Sequence, residues 1–120
     1  MIPILKAVAE GRLIELPPCD KNQALRTLAE TLCASAHIPA GYNVFDNVIR
    51  REEQAITYLK YGIACPHARS EEHSGEMSCV IGWSPDGIDY GNTDGWPVHL
   101  ILMYYVPGSA RNVYLTELAT

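Results

Sequence analysis

Residues 98–106 read VHLILMYYV, and this nearly continuous apolar run decides the fold class. Such a run is typical of a strand that is buried on both faces of a sheet. Residues 78–83 predict a second strand. The SPDG sequence at 84–87 predicts a turn, because proline presets one turn dihedral and glycine accepts a positive φ, and residues 88–90 predict a short return strand. We therefore expect a β-sheet in the second half of the chain, with another turn at 92–95.

The first half of the chain is patterned mainly for helices. Residues 3–10 predict a short helix that stops at Gly11, and residues 12–16 predict a short strand closed by two prolines. Asp20 is a suitable N-cap for a helix over residues 21–36. Apolar residues recur there at steps of three and four, as on one face of an amphipathic helix: Ala24, Leu25, Leu28, Ala29 and Leu32.

A second long helix is predicted after Gly41, with the arginines and glutamates of residues 50–53 at its polar end. Residues 111–119 resemble the beginning of a further helix. Helices that come before and after a group of strands predict a single-domain α/β sandwich, in which a central mixed β-sheet is flanked by helices. A chain of 120 residues is long enough for one such domain, spanning residues 1–120, and too short for two.

Composition excludes several classes of function. Hydrophobic residues make up 48% of the chain, which is ordinary for a globular protein, and the net charge of −5 argues against a general nucleic-acid binder. No apolar run is long enough for membrane insertion, and no signal peptide is evident. We expect a cytoplasmic protein whose four cysteines are reduced.

His67 is the first candidate for chemistry. Residues 58–67 predict a strand that leads into a loop, and the small residues and proline before His67 predict an exposed turn. A single histidine in a loop is more often an ordinary surface residue. Its functional interpretation is nucleophilic, because a neutral imidazole nitrogen can accept a phosphoryl group near pH 7 without a separate base.

Three arginines could assist such chemistry. Arg50 and Arg51 end a predicted helix, where arginines usually form a solvated face. A functional role requires a guanidinium beside His67, where it could hold phosphate oxygens in a bidentate contact. Arg69 lies closer in sequence and could do the same or solvate the loop.

A metal site is the weaker alternative. Cys33 and His37 are four residues apart on a predicted helix, and Cys65 and His67 are two apart, but the usual close ligand pairs of zinc sites are missing. Cys33 is expected near the apolar helix face. We predict no metal and no cofactor. His73 is predicted in a loop, and His99 is predicted to be structural unless it points toward His67.

The order of these residues resembles a known signature. An Arg51-Glu52 pair, then Thr57, then the GIACPH sequence of residues 62–67 is similar to the active-site pattern of the mannitol/fructose enzyme IIA family of the phosphotransferase system. The nitrogen-related regulatory IIA proteins share this pattern. The likeness covers nearly the whole chain, because further segments also resemble the family: residues 24–29, 87–90, 94–98, and 100–102 with 106–107.

The resemblance implies a phosphotransferase that works through a phosphohistidine intermediate. His67 would accept a phosphoryl group from the phosphocarrier HPr and pass it to an EIIB domain. Arg51 would stabilise the phosphoryl charge, Thr57 would lie within hydrogen-bonding reach of the site, and Arg69 is a further candidate for phosphoryl stabilisation. Alternatively, the chain is a regulatory module whose phosphorylation state controls binding to a transporter, a kinase or a transcription regulator. A binding module without phosphotransfer is the third interpretation.

Two departures from the family pattern are expected to matter. The family often has a second histidine near the active site, and Tyr114 occupies that position here, where its phenol is a further candidate for stabilising the phosphoryl group. The family also usually continues with more helix beyond the point where this sequence stops. We therefore expect the C-terminal helical part of the domain to be missing from the 120 residues.

Overall fold

Three helices and six strands make up the part of the chain that the computed structural model describes, which is residues 3–35, 38–70, 72–73 and 75–108. In chain order they are α1 Pro3–Ala9, β1 Leu13–Glu15, α2 Lys21–Ser35, α3 Val44–Gln54, β2 Tyr58–Lys60, β3 Ile63–Ala64, β4 His67–Ser70, β5 Ser78–Ile88 and β6 Val98–Pro107. The helix predicted over residues 111–119 lies outside the described residues, as does Tyr114.

Strand β6 is the centre of a mixed sheet. The strand order is β1-β5-β6-β3-β2, and β4 also pairs with β6. On one side β6 runs antiparallel to β5, and on the other it pairs in parallel with β3 and then with β4. The prediction of a strand buried on both faces near residues 98–106 is confirmed for most of β6, because Met103 packs in the apolar cluster on one face and Tyr104 in the cluster on the other, whereas His99 is exposed.

The sheet buries an apolar cluster on each face. The larger cluster joins the sheet to α2 and α3, and it contains all five apolar residues that predicted the amphipathic face of α2. The smaller cluster joins the other face to α1 through Ala7 and includes Cys65, Cys79 and Tyr104. Helices thus flank the sheet on both faces, which confirms the predicted α/β sandwich.

Local sequence signals fix where the two long helices begin. The Oδ1 atom of Asp20 accepts a hydrogen bond from the Gln23 amide at 2.8 Å, and the Gln23 side chain accepts one from the Asp20 amide at 2.9 Å. This reciprocal pair confirms the predicted N-cap of α2. Asn43 caps α3 in the same way, accepting from the Asp46 amide at 2.9 Å. Among the described residues, no helix is long and apolar enough to cross a bilayer.

The predicted chain reversal at residues 84–87 is wrong. These residues belong to β5, which runs from Ser78 to Ile88 and pairs with β6 in the same antiparallel sense before and after them. The pairing register shifts between Trp83 and Ile88, and Gly87 has a φ of +84°. Turn-forming residues here produce a bulge, because both flanking segments can keep pairing with one long partner strand.

Candidate phosphoryl-acceptor site

His67 is the first residue of β4, and its side chain is only 6% exposed. The expectation of an exposed turn at this residue is therefore wrong. Cys65 and Pro66 interrupt the strand for two residues only, and the Pro66 carbonyl accepts a hydrogen bond from the Tyr104 amide at 3.0 Å. Pairing with β6 resumes at once, with His67 opposite Tyr104, so the backbone of His67 is positioned by the sheet.

The imidazole of His67 contacts its own backbone segment. Its Nδ1 atom lies 3.3 Å from the carbonyl oxygen of Cys65. Burial lowers the pKa of His67 from its ordinary value of 6.5, and the nearby guanidinium groups of Arg51 and Arg69 lower it further. The hydrogen bond to Cys65 and the carboxylate of Glu52 act in the opposite direction. The net effect is a histidine that stays neutral at pH 7.

Arginines surround the cavity beside His67. This cavity of about 470 Å³ is lined by Arg50 and Arg51 from α3 and by Arg69 from β4, together with Asn47, Gln54, Ala55 and His67. Both predicted phosphate-binding arginines, Arg51 and Arg69, are therefore beside His67, and Arg50 joins them. Because no carboxylate is among the described lining residues, the cavity favours an anion.

Each α3 arginine also makes a hydrogen bond to α3 itself or to its C-cap. Nη1 of Arg51 donates to the Ala55 carbonyl at 2.9 Å, and Nη1 of Arg50 donates to the Asn47 side chain at 3.3 Å. A guanidinium carries five N–H donors in a planar fork, so one such contact orients the group and leaves other donors for a ligand. The arrangement suits a phosphoryl group bound to His67.

Thr57 lies behind the cavity and does not line it. Its side chain is buried, and its hydroxyl oxygen is 3.2 Å from the phenol oxygen of Tyr90. Its carbonyl accepts a hydrogen bond from the Cys65 amide at 2.8 Å. Thr57 therefore holds the backbone that precedes His67.

Sequence reasoning missed the buried polar residues around Thr57. Glu52 is only 8% exposed, and its carboxylate forms an ion pair with Lys21 of α2 at 3.0 Å. The Lys21 ammonium also lies 4.0 Å from the centre of the Tyr90 ring. The sequence did indicate that Glu52 would be buried, because Val44, Val48 and Glu52 recur every four residues and so share one helix face.

The remaining candidate residues are elsewhere. His99 is exposed, and its Nδ1 atom is 2.7 Å from the Ser84 carbonyl, where it supports the β5 bulge. His73 hydrogen bonds to Ser70. Cys33 is exposed, contrary to the expectation that it lies near the apolar face. His37 lies outside the described residues, and within them no three His, Cys, Asp or Glu side chains are grouped to hold a metal.

Known proteins share this sequence pattern. The fructose-specific EIIABC component of Bacillus subtilis is 36% identical over 72 residues, which is 60% of this chain and 11% of that protein. The nitrogen regulatory protein of Bradyrhizobium diazoefficiens is 32% identical over 98% of this chain and 76% of its own length. The chain therefore spans only a small part of the first relative and most of the second.

Solved structures share the fold. The nitrogen regulatory protein IIA-Ntr from Neisseria meningitidis superposes with a TM-score of 0.78 at 21% identity, covering 90% of this chain and 73% of that one. The complex of enzyme IIAMTL and phosphorylated enzyme IIBMTL from Escherichia coli gives a TM-score of 0.74 at 19% identity, covering 90% and 76%. At these identities the likeness shows the fold alone.

Family membership follows from the sequence match. The family described as "Phosphoenolpyruvate-dependent sugar phosphotransferase system, EIIA 2" matches residues 10–120, which include every candidate site residue. Domains of this family carry phosphate between proteins, and the expected resemblance is confirmed. The chain belongs to the EIIA type 2 family of the phosphoenolpyruvate-dependent sugar phosphotransferase system.

Proposed function

We propose that His67 accepts a phosphoryl group from the phosphohistidine of HPr and passes it to an EIIB domain. The observation that carries the proposal is the cavity in which His67 meets Arg50, Arg51 and Arg69. No metal or cofactor enters the reaction. The proposal keeps the cytoplasmic location that the sequence predicts.

The hydrogen bond at Cys65 selects the nucleophilic nitrogen. A carbonyl oxygen can only accept, so the contact at 3.3 Å assigns the ring proton to Nδ1 of His67. The lone pair is then on Nε2. Because burial and two guanidinium groups lower the pKa of the ring, this tautomer is present in the neutral state that attack requires.

Transfer is a single displacement at phosphorus. Nε2 of His67 forms a bond to the phosphorus atom while the bond to the donor nitrogen breaks, and that electron pair returns to the donor imidazole. Each ring keeps the proton on its other nitrogen, so the donor leaves neutral and His67 becomes a cationic ring that bears a dianionic phosphoryl group. Onward transfer to EIIB reverses these roles.

The arginines supply the charge that this displacement needs. Phosphoryl transfer depends mainly on positioning and on stabilising the three phosphoryl oxygens as charge develops. Arg51 is held at the end of α3 by its contact with the Ala55 carbonyl. It is therefore already oriented before the donor arrives, and Arg69 approaches from the strand that carries His67.

A regulatory function is the second candidate. Its support is the 32% identity to a nitrogen regulatory protein over 98% of this chain. In that case, phosphorylated and unphosphorylated His67 would present different charges to a transporter, a kinase or a transcription regulator. The acceptor chemistry at His67 is the same in both functions.

Phosphoryl transfer in vitro tests the proposal. The protein is incubated with phosphoenolpyruvate, enzyme I and HPr, and intact mass is measured for wild type, His67→Ala and His99→Ala. We expect one acid-labile phosphoryl group on wild type and His99→Ala and none on His67→Ala. A relay that phosphorylates another EIIA protein but leaves this one unmodified would overturn the proposal. Adding EIIB then separates the two functions, since only a carrier passes the label on.

A further inference from the structure

A buried carboxylate lies where the pattern of α3 calls for an apolar side chain. Val44, Val48 and Glu52 are the buried residues of this helix and lie on one face. The Glu52 side chain is only 5% exposed. Burying a carboxylate is costly unless a partner compensates it, so its presence at this position requires an explanation.

Lys21 and Tyr90 fix the position of this carboxylate. The Lys21 ammonium pairs with Oε1 of Glu52 at 3.0 Å and lies over the Tyr90 ring at 4.0 Å. The ammonium therefore links the Glu52 carboxylate to the face of the Tyr90 ring. Burial raises the pKa of Tyr90, and the Glu52 carboxylate raises it further. Tyr90 in turn contacts Thr57, whose carbonyl binds the Cys65 amide. A hydrogen-bonded route therefore connects Tyr90 to the segment that carries His67.

Charges of both signs act on the His67 ring. Arg50 and Arg51 from α3 and Arg69 from β4 line the cavity in front of it. Glu52 is also on α3, but it is buried on the helix face that packs against the sheet, and its charge opposes the effect of Arg51 and Arg69 on the ring. Two further titratable groups belong to this cluster: the phenol of Tyr90, which contacts Thr57, and the ammonium of Lys21, which pairs with Glu52 at 3.0 Å.

These opposite charges match the phosphorylated product. A phosphohistidine that keeps its Nδ1 proton has a cationic ring and a dianionic phosphoryl group. The arginines complement the phosphoryl oxygens, and the buried Glu52 carboxylate complements the cation. Without this carboxylate, the charged side chains that act on the ring from the described part of the chain would all be positive.

We propose that Glu52 is a positioning residue for His67, a fixed negative charge that stabilises the cationic ring of phosphohistidine while the arginines hold the phosphoryl group. This inference rests on the proposed function of His67 as a phosphoryl acceptor. Lys21 and Tyr90 hold the carboxylate in place, and Glu52 itself touches neither the donor nor the phosphoryl group.

Glu52→Gln tests the charge with almost no change in shape, and Glu53→Gln is the matched control. Glu53 is the next residue of α3, is exposed and does not line the cavity. The first measurement is the NMR titration of the His67 ring in the unphosphorylated protein. We expect Glu52→Gln to lower the pKa of His67, and Glu53→Gln to leave it unchanged. The phosphoryl-transfer equilibrium with HPr should shift toward phospho-HPr in Glu52→Gln only, by a factor of about ten for each unit by which the pKa of His67 falls.

Lys21→Met provides a second variant with the opposite sign. Removing the ammonium that partly neutralises Glu52 should raise the pKa of His67. This variant also keeps the inference testable if Glu52→Gln does not fold. If Glu52 had a purely structural role, Glu52→Gln and Lys21→Met would change only the free energy of unfolding. The pKa of His67 in both variants would then equal that in Glu53→Gln, and this result would overturn the inference.

The two proposals fail in different ways. A wild-type protein that accepts no phosphoryl group would overturn the proposed function, and with it the effect of Glu52 on transfer. The titration needs no phosphorylation, so shifts of opposite sign would still support the action of Glu52 on the His67 ring. Shifts in the same direction would overturn that action even if phosphoryl transfer is normal.

Discussion

The hydroxyl oxygen of Thr57 lies 3.2 Å from the phenol oxygen of Tyr90, behind the cavity that His67 lines. Resemblance to the family implied that Thr57 lies within hydrogen-bonding reach of the site. In the structure its hydroxyl contacts a buried phenol, and its carbonyl supports the Cys65 amide. The residue therefore acts on the site through the backbone that leads to His67.

Tyr90→Phe should lower the free energy of unfolding by about 1 kcal/mol, because it leaves the buried Thr57 hydroxyl without this partner. Thr57→Val should also lower the free energy of unfolding, because the Tyr90 phenol loses this partner. In the double variant neither group is stranded, so its loss should be smaller than the sum of the two single losses. Urea unfolding of wild type, the two single variants and the double variant measures this coupling. If the losses in free energy of unfolding were strictly additive, the coupling would be contradicted.

Arg51→Ala should reduce the rate of phosphoryl transfer by about 10²-fold, since removing one oriented donor from a developing oxyanion typically costs this much. Arg26→Ala is the matched control, because Arg26 stacks on Phe45 at 4.2 Å and does not line the His67 cavity. Rapid-quench measurement of transfer from phospho-HPr compares the two variants. Equal rates would show that Arg51 is only part of a solvated helix end.

The lowered pKa of His67 makes folding stability depend on pH in a defined direction. Below pH 6.5 the unfolded chain takes up a proton on this residue, while the native ring stays neutral because of burial and the nearby guanidinium groups. This contribution to stability is present above pH 6.5 and is lost as the pH falls toward the lower native pKa.

Urea unfolding at pH 7.5 and pH 5.5 measures this contribution. Wild type should lose more stability between the two pH values than His67→Gln, which lacks the titrating group. A greater loss in His67→Gln would mean that the native pKa of His67 is raised.

Gly62→Ala should destabilise the protein by about 3 kcal/mol. Gly62 has a φ of +79°, and an added Cβ would lie 2.9 Å from the Pro97 carbonyl oxygen. Gly91→Ala is the control, since Gly91 has a φ of +77° but open space around it. Its cost should be about 1 kcal/mol, the strain of the left-handed backbone alone. Equal losses of unfolding free energy in the two variants, measured by thermal or urea unfolding, would show that the Pro97 carbonyl moves away from the added Cβ at little cost.

How well each structural feature could be predicted depends on how close in sequence the residues that determine it lie. The caps at Asp20 and the apolar face of α2 depend on residues within a few positions, and these were predicted correctly. The β5 bulge was not, because proline and glycine at 84–87 permit either a reversal or a bulge. A bulge forms because β5 pairs with the long strand β6 both before and after these residues, and this pairing is not visible in the four residues themselves.

The candidate site shows the same limit. The resemblance selected His67, Arg51 and Arg69, and the structure brings them together around one cavity. The burial of Glu52 was not predicted, because RREE in the sequence reads as a polar helix end. Its partner Lys21 is on another helix, so only the tertiary packing of α2 against α3 reveals the ion pair.

Strands β3 and β4 pair with successive segments of β6, and only Cys65 and Pro66 separate them. His67 is thus attached to the middle of the sheet, with hydrogen-bonded neighbours before and after it. For the phosphoryl transfer proposed above, a partner protein would meet a His67 imidazole whose backbone is fixed in advance. Little conformational entropy of β3 and β4 would then be lost on association, so exchange would not require these two strands to rearrange.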